Sequence, residues 1–418
     1  MKKATPVLSL STSASTSPRL TELPPLSLYI HLPWCVKKCP YCDFNSHAIN
    51  ADKTFPEAEY IVALKRDLEL SLPLIWRRPI TSVFFGGGTP SLFSGAAIEE
   101  ILSYARMLLS FALDIEITLE ANPGTLEAQK FVDFRSAGIN RLSIGIQSFN
   151  PKHLQALGRI HNETEAKRAI EQAQPHFDNI NLDLMYALPE QALEEAQQDI
   201  NTACSWGVAH LSAYHLTLEP NTWFYRHPPK LPDEDIAADM QIMIEHTLAE
   251  KGYQHYETSA FAQPRKRCMH NLNYWQYGDY LGIGAGAHSK ISFRDKIIRQ
   301  MRHKHPRHYM EQVMAQDAHL DDLIATEHTV TSQDRSFEFM MNALRLTDGF
   351  DPRLFHAHTG LTISSIQQQL TTAEERGFVD WQHDCIRPTT NGRKFLNDLL
   401  EIFLPEQKQS NHSHRTQP

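Results

Sequence analysis

The chain has 418 residues, 41% hydrophobic and 21% charged, an ordinary water-soluble composition with length for two or three domains. Lys plus Arg is 40 against 49 Asp plus Glu, a formal net charge of −9, which argues against a general nucleic-acid binder because phosphate contact needs a basic face. No run approaches the roughly 18 apolar residues of a membrane helix, and six cysteines (Cys35, Cys39, Cys42, Cys204, Cys268 and Cys385), three of them clustered, are not the framework of a small secreted disulfide protein.

Residues 1–25 carry a basic tip but no clean apolar stretch, so a flexible tail is expected rather than a secretory signal. From Leu26 onward, β-branched and aromatic runs alternate with helical patterns. Strands are expected at LSLYIHL from Leu26, SVFFGG from Ser82, EITLEA from Glu116, RLSIGIQ from Arg141, NINLDLMYAL from Asn179 and HLSAYHLTLE from His210. The segments between them, such as AAIEEILSYARMLLSF and DEDIAADMQIMIEHTLAEKG, carry apolar residues at three-to-four spacing. Six such units predict an α/β fold over 26–262: a parallel sheet of partial or full TIM-barrel type, helices outside, strands apolar on both faces. Functional groups of such a barrel gather at the C-terminal strand ends. Cys35, Gly86-Gly87-Gly88-Thr89-Pro90, Glu120-Ala121-Asn122-Pro123, Gln147-Ser148 and Glu219-Pro220 all stand there, with Asp183 in the fifth strand.

After Gly252, YQHYETSAFA reads as one further strand, and 263–334 reads as a functional loop followed by a polar, His-rich linker. Over 335–405 the order helix, helix, small β-wing, helix predicts a winged-helix-like domain, and 406–418 is expected to be a second flexible tail. The segment SSIQQQLTTAEERG, where a recognition helix would lie, sets two Glu against one Arg. That is a poor match to phosphate, so a lid or interaction domain is expected in place of a DNA-binding regulator.

The clustered cysteines read Cys35-Val36-Lys37-Lys38-Cys39-Pro40-Tyr41-Cys42. A structural zinc site takes four ligands and no second CxxC follows, although His31 or His47 would supply a fourth donor. Three thiolates on one loop suit an iron–sulfur cubane with one iron left open. This CxxxCxxC spacing after a first barrel strand resembles the radical S-adenosylmethionine (SAM) superfamily. The resemblance implies a 4Fe-4S cluster on Cys35, Cys39 and Cys42, with the open iron chelating S-adenosyl-L-methionine and electron transfer releasing a 5′-deoxyadenosyl radical. The Gly86–Gly88 run lacks the Lys of a phosphate loop and lets backbone approach a ligand closely. Glu120 and Asp183 are anions suited to ribose hydroxyls or an ammonium, and Arg159 to a carboxylate.

The motifs YIHLPWCVKKCPYCDFNS, FFGGGTPSL, EANPGT, RLSIGIQSF, LGRIHN and LDLMYALPEQ are similar to the oxygen-independent coproporphyrinogen III oxidase-like family and, within it, to its HemW-type heme chaperones, from about Leu26 to Leu404. The resemblance gives Tyr29, Tyr41, Gly87, Gly88, Thr89, Glu120, Gln147, Arg159 and Asp183 SAM-site roles. The oxidases carry a further cysteine two residues after the third, where this chain has Phe44, so porphyrinogen decarboxylation becomes the alternative reading. His270-Asn271-Leu272-Asn273-Tyr274-Trp275 matches the chaperones' HNxxYW motif, which is associated with heme. Cys268, Met269, His270 and Tyr274 are all possible axial ligands, with His270 first and Tyr274 second. Trp275, Tyr277 and Tyr280 suit a macrocycle wall, and Arg265, Lys266 and Arg267 suit its propionates. The expected partners are heme and heme-accepting proteins such as respiratory enzymes, from a cytoplasmic location, with membrane contact at most peripheral and a dimer compatible with the chain.

Overall fold

A computed structural model describes residues 19–49 and 55–405, so the two expected tails fall largely outside the described residues. One twelve-stranded sheet dominates. In spatial order its strands are Ile324–Thr329, Ile297–Arg302, His288–Ser292, Asp279–Ile283, Leu26–Leu32, Ile80–Gly87, Phe111–Ala121, Arg141–Gln147, Ile180–Tyr186, His210–His215, Ala260–Ala262 and Gln254–Glu257. The seven from Asp279–Ile283 to His210–His215 are mutually parallel; the flanking strands are antiparallel. The sheet does not close on itself, so the barrel is a partial one.

All six expected parallel strands are present, but they are not apolar on both faces. One face carries Leu28, Ile30, Val83, Phe85, Leu119, Leu142, Ile144, Leu182 and Leu211, at most 1% exposed in the major core beneath the outer helices. The other lines the barrel interior with Ser27, Ser82, Glu116, Thr118, Arg141, Ser143, Asn181, His210 and Ser212, all buried. The polar positions alternate with the apolar ones, as the side-chain period of two requires.

The region expected as loop and linker is largely regular structure. It holds the helix Met269–Trp275, a parallel strand that pairs Leu26–Ile30 with Asp279–Ile283, and three antiparallel strands. Its charged residues look like loop but are buried and paired: Lys290 with Asp279 at 2.9 Å and Arg302 with Asp67 at 3.1 Å. YQHYETSAFA forms two antiparallel strands, not one.

A second core joins Phe339, Met340, Phe355, Leu370 and Leu399 of the C-terminal helices, and Phe350 between two of them, to Val379 and Ile386 of a two-stranded wing. Leu20, expected in the tail, packs in this core, and its N–H donates to the Arg294 carbonyl at 2.8 Å. Glu338 ties this part to the sheet, accepting from Arg299 Nε and Nη2, both at 2.9 Å, and from the Tyr277 hydroxyl at 2.7 Å.

Candidate functional site

The cysteine loop leaves the first strand at its C-terminal end. Gly88 N–H donates to the Leu32 carbonyl at 2.8 Å and Thr89 N–H to the Trp34 carbonyl at 2.7 Å, so the glycine run and the loop are sewn together. A Cβ on Gly88 would lie 2.5 Å from the Trp34 oxygen, and Gly87 has φ +116°, so neither position tolerates a side chain. From the far side, Asn45 Nδ2 donates to the carbonyls of Ala285 and Lys304, both at 2.9 Å. The loop encloses a cavity of about 350 Å³ lined by Cys35, Cys39, Tyr41, Cys42, Gly88, Thr89, Glu120, Gln147, Arg159 and Asp183, ten of the twelve residues expected at the cluster and SAM sites. The other two lie just below it. Gly87 N–H donates to Glu120 Oε2 at 3.3 Å, and Tyr29 hydrogen-bonds His31 Nδ1 at 3.0 Å.

The chemistry of this lining fits the implied groups. Burial raises the Cys35 and Cys42 thiols, which favours proton loss only when a cation takes the proton's place. Among the described residues no three His, Cys, Asp or Glu converge on a single metal ion. Cys35, Cys39 and Cys42 all line the one cavity, a donor set suited to an iron–sulfur cluster. Thr89 Oγ1 donates to Cys35 Sγ at 3.4 Å, and Arg159 Nη1 to Cys39 Sγ at 3.7 Å. Arg159, which lines the cavity, donates from Nη2 to the Gly145 carbonyl at 2.9 Å, while its buried Nε has no partner among the described residues, leaving a cation suited to a carboxylate. Gln147, at φ +68°, turns the chain sharply at its strand end. Burial and the neighbouring Asp183 carboxylate push the Glu120 carboxyl up to about 8, and burial raises Asp183 too, so the pair favours a cationic or hydroxyl-bearing ligand. Ser143, Ser46 and Tyr214 also line the cavity, and were not among the expected site residues; alternation along the strands is the signal that marks Ser143 and Tyr214.

The HNxxYW residues lie at the opposite end of the strands. The helix Met269–Trp275 caps the barrel's N-terminal end. Glu116 accepts from Met269 N–H at 3.0 Å and His270 N–H at 3.2 Å, and Asn273 donates to Ser27 Oγ at 2.9 Å. His270 Nδ1 lies 3.1 Å from Ser82 Oγ, and among the described residues Nε2 has no hydrogen-bond partner. Burial, with the Arg141 cation nearby, lowers the imidazole to about 3, so it is neutral at pH 7. Its ring packs 4.9 Å from Phe84 and 6.3 Å from Tyr29, and Tyr274 packs 5.3 Å from Tyr280. Asn271 is half-buried on the same helix, and Trp275 lies 5.1 Å from Tyr274 with Nε1 buried and unpartnered. Three expectations need correction. Tyr277 is fully buried in the second core, Arg267 is paired with Asp348 at 2.6 Å, and the Cys268 thiol is buried against Glu116 at 3.5 Å.

A parallel α/β sheet with a three-cysteine loop, a glycine run and paired carboxylates at its C-terminal ends defines a radical SAM protein. Residues 29–203 match the radical SAM superfamily and 330–395 the HemN C-terminal domain. The chain is 47% identical over 389 residues to the heme chaperone HemW of Escherichia coli (strain K12), covering 93% of this chain and 100% of that protein. It is 32% identical over 387 residues to the heme chaperone HemW of Bacillus subtilis (strain 168), covering 91% and 99%. The chain belongs to the HemW heme-chaperone family. The solved structure of coproporphyrinogen III oxidase (HemN) from Escherichia coli shares the fold, with a TM-score of 0.76 at 23% identity over 93% of this chain and 91% of that one.

Proposed function

We propose that the chain is a cytoplasmic heme chaperone that holds a 4Fe-4S cluster and SAM at one end of its barrel and takes up heme at the other for transfer to acceptor proteins. Family membership supports the cluster and SAM. Cys35, Cys39 and Cys42 would hold the cluster, which when bound supplies one-electron chemistry at an iron with an open position. Glu120 and Asp183 would take the cationic and hydroxyl groups of SAM, Arg159 and Gln147 its carboxylate, and Tyr41, Gly88 and Thr89 would shape the cavity around it.

The observation that carries the heme reading is the state of His270. A neutral imidazole held at Nδ1, with Nε2 unpartnered, is the arrangement a ligating histidine needs. The half-buried aromatics Tyr29, Phe84, Tyr274 and Tyr280 around it suit a flat macrocycle. Acceptors such as respiratory enzymes fit the chaperone reading. No helix among the described residues is long and apolar enough to cross a membrane.

The second reading is porphyrinogen decarboxylation. Phe44, at the position of the oxidases' extra cysteine, is 59% exposed at the cavity mouth. After anaerobic cluster reconstitution, heme is added to one sample and coproporphyrinogen III, SAM and reductant to another. The chaperone reading predicts a heme absorption band in the first and no sustained decarboxylation in the second. Turnover without heme binding establishes the oxidase instead.

A further inference from the structure

The barrel interior between the two sites is continuous and polar. From the cavity, Asp183 accepts from Ser143 Oγ at 2.9 Å and Asn181 Nδ2 at 2.8 Å. Asn181 Oδ1 meets His210 Nδ1 at 2.6 Å, and His210 Nε2 meets the Tyr256 hydroxyl at 2.9 Å. Tyr256 accepts from Cys268 N–H at 3.3 Å, the residue just before the HNxxYW helix. Beside this chain lies Arg141, 2% exposed, surrounded by Cys268, Glu116, Tyr256 and Asp183. Its Nε makes no hydrogen bond and stands 3.9 Å from Glu116 Oε2, too far for a close ion pair. A buried guanidinium whose Nε lacks a partner, beside Glu116 and within the field of Asp183, needs an explanation.

Glu116 supplies one. Its Oε1 holds the amides of Met269 and His270, while its Oε2 faces Arg141. Arg141 therefore stands in the field of both Asp183 and Glu116, and a charge arriving at Asp183 shifts the balance between the two attractions. We propose that Arg141 is a positioning residue that couples the Glu120–Asp183 pair to the N-terminal turn of the Met269–Trp275 helix. A cationic adenosyl ligand at the carboxylates drives Arg141 onto Glu116, firms the hold on the helix and raises heme affinity at His270. The heme limb of this inference rests on the function proposed above; the helix limb does not. Linkage makes the effect reciprocal, so heme tightens SAM by the same factor.

The test uses the full chain with its cluster reconstituted. Amide hydrogen exchange at Met269 and His270 and heme affinity are measured with and without SAM in the wild type, Arg141→Lys, Arg141→Met and Glu116→Gln, after SAM binding is verified in each. Glu116→Gln keeps an acceptor for the amides and removes the charge that attracts Arg141. In the wild type SAM slows exchange at the two amides at least threefold and tightens heme at least threefold. Arg141→Lys retains part of the response, and Arg141→Met and Glu116→Gln lose it. S-adenosylhomocysteine, without the sulfonium charge, has the weaker effect. Exchange unchanged by SAM in the wild type, or a full response in Arg141→Met or in Glu116→Gln, overturns the coupling. If heme fails to bind the wild type at all, the heme reading fails while the exchange arm still decides the role of Arg141.

Discussion

His270 Nδ1 lies 3.1 Å from Ser82 Oγ, and that contact decides which imidazole nitrogen is left for a ligand. In the proposed heme site Ser82 is the outer partner that orients the ring, and loss of such partners commonly weakens ligation by about tenfold or more. Ser82→Ala is therefore expected to weaken heme binding about tenfold with the cluster spectrum unchanged, measured by absorption titration. Unchanged affinity would mean that the hydroxyl does not orient the ring.

The carboxylates make SAM binding pH-dependent. Burial and the Asp183 charge push the Glu120 carboxyl up to about 8. It must lose its proton to pair with a cation, so binding releases a proton and affinity rises with pH, levelling off above about 8. Below that, one coupled proton changes affinity by up to about tenfold per pH unit. Calorimetry in buffers of different ionisation enthalpy measures the proton release, and Glu120→Gln should abolish most of it.

Arg159, which lines the cavity, has an unpartnered Nε among the described residues while its other nitrogens are committed to Gly145 and Cys39. Charge-assisted hydrogen bonds contribute about 1.5–3 kcal/mol. Arg159→Ala should weaken SAM binding by at least about tenfold, whereas an analogue lacking the carboxylate should bind both proteins alike.

Much of this architecture is legible in the residues. The six parallel strands and the strand-end clustering of Cys35, Glu120 and Gln147 follow from periodicity and spacing. The strands at Ile297–Arg302 and Ile324–Thr329 are not legible because neither IIRQMR nor IATEHT alternates apolar with polar residues, and the second lies exposed at the sheet edge. Asp279, Lys290 and Arg302 read as loop because their partners are distant in sequence: burying a charge depends on a pairing that local pattern does not carry. The polar interior is encoded as alternation in LSLYIHL and HLSAYHL, where the polar positions face inward and the apolar ones face the outer helices. Tyr29, expected beside SAM, stands 6.3 Å from His270, because its strand spans both sites.

The C-terminal core is expected to be sensitive to single truncations. Phe339 is fully buried, its ring 5.1 Å from both Phe350 and Phe355. Phe339→Ala should cost about 3–5 kcal/mol, read as an earlier guanidinium unfolding transition, and restoring a large apolar side chain with Phe339→Leu should recover part of it.

The central claim, that heme is held at the HNxxYW end of the barrel through His270, is tested most directly by titrating heme into anaerobically reconstituted wild type and His270→Ala. The account predicts that the variant keeps its cluster absorption and SAM binding, loses heme affinity by more than Ser82→Ala does, and shows an altered heme spectrum. Equal affinity and an unchanged heme spectrum in His270→Ala would contradict it.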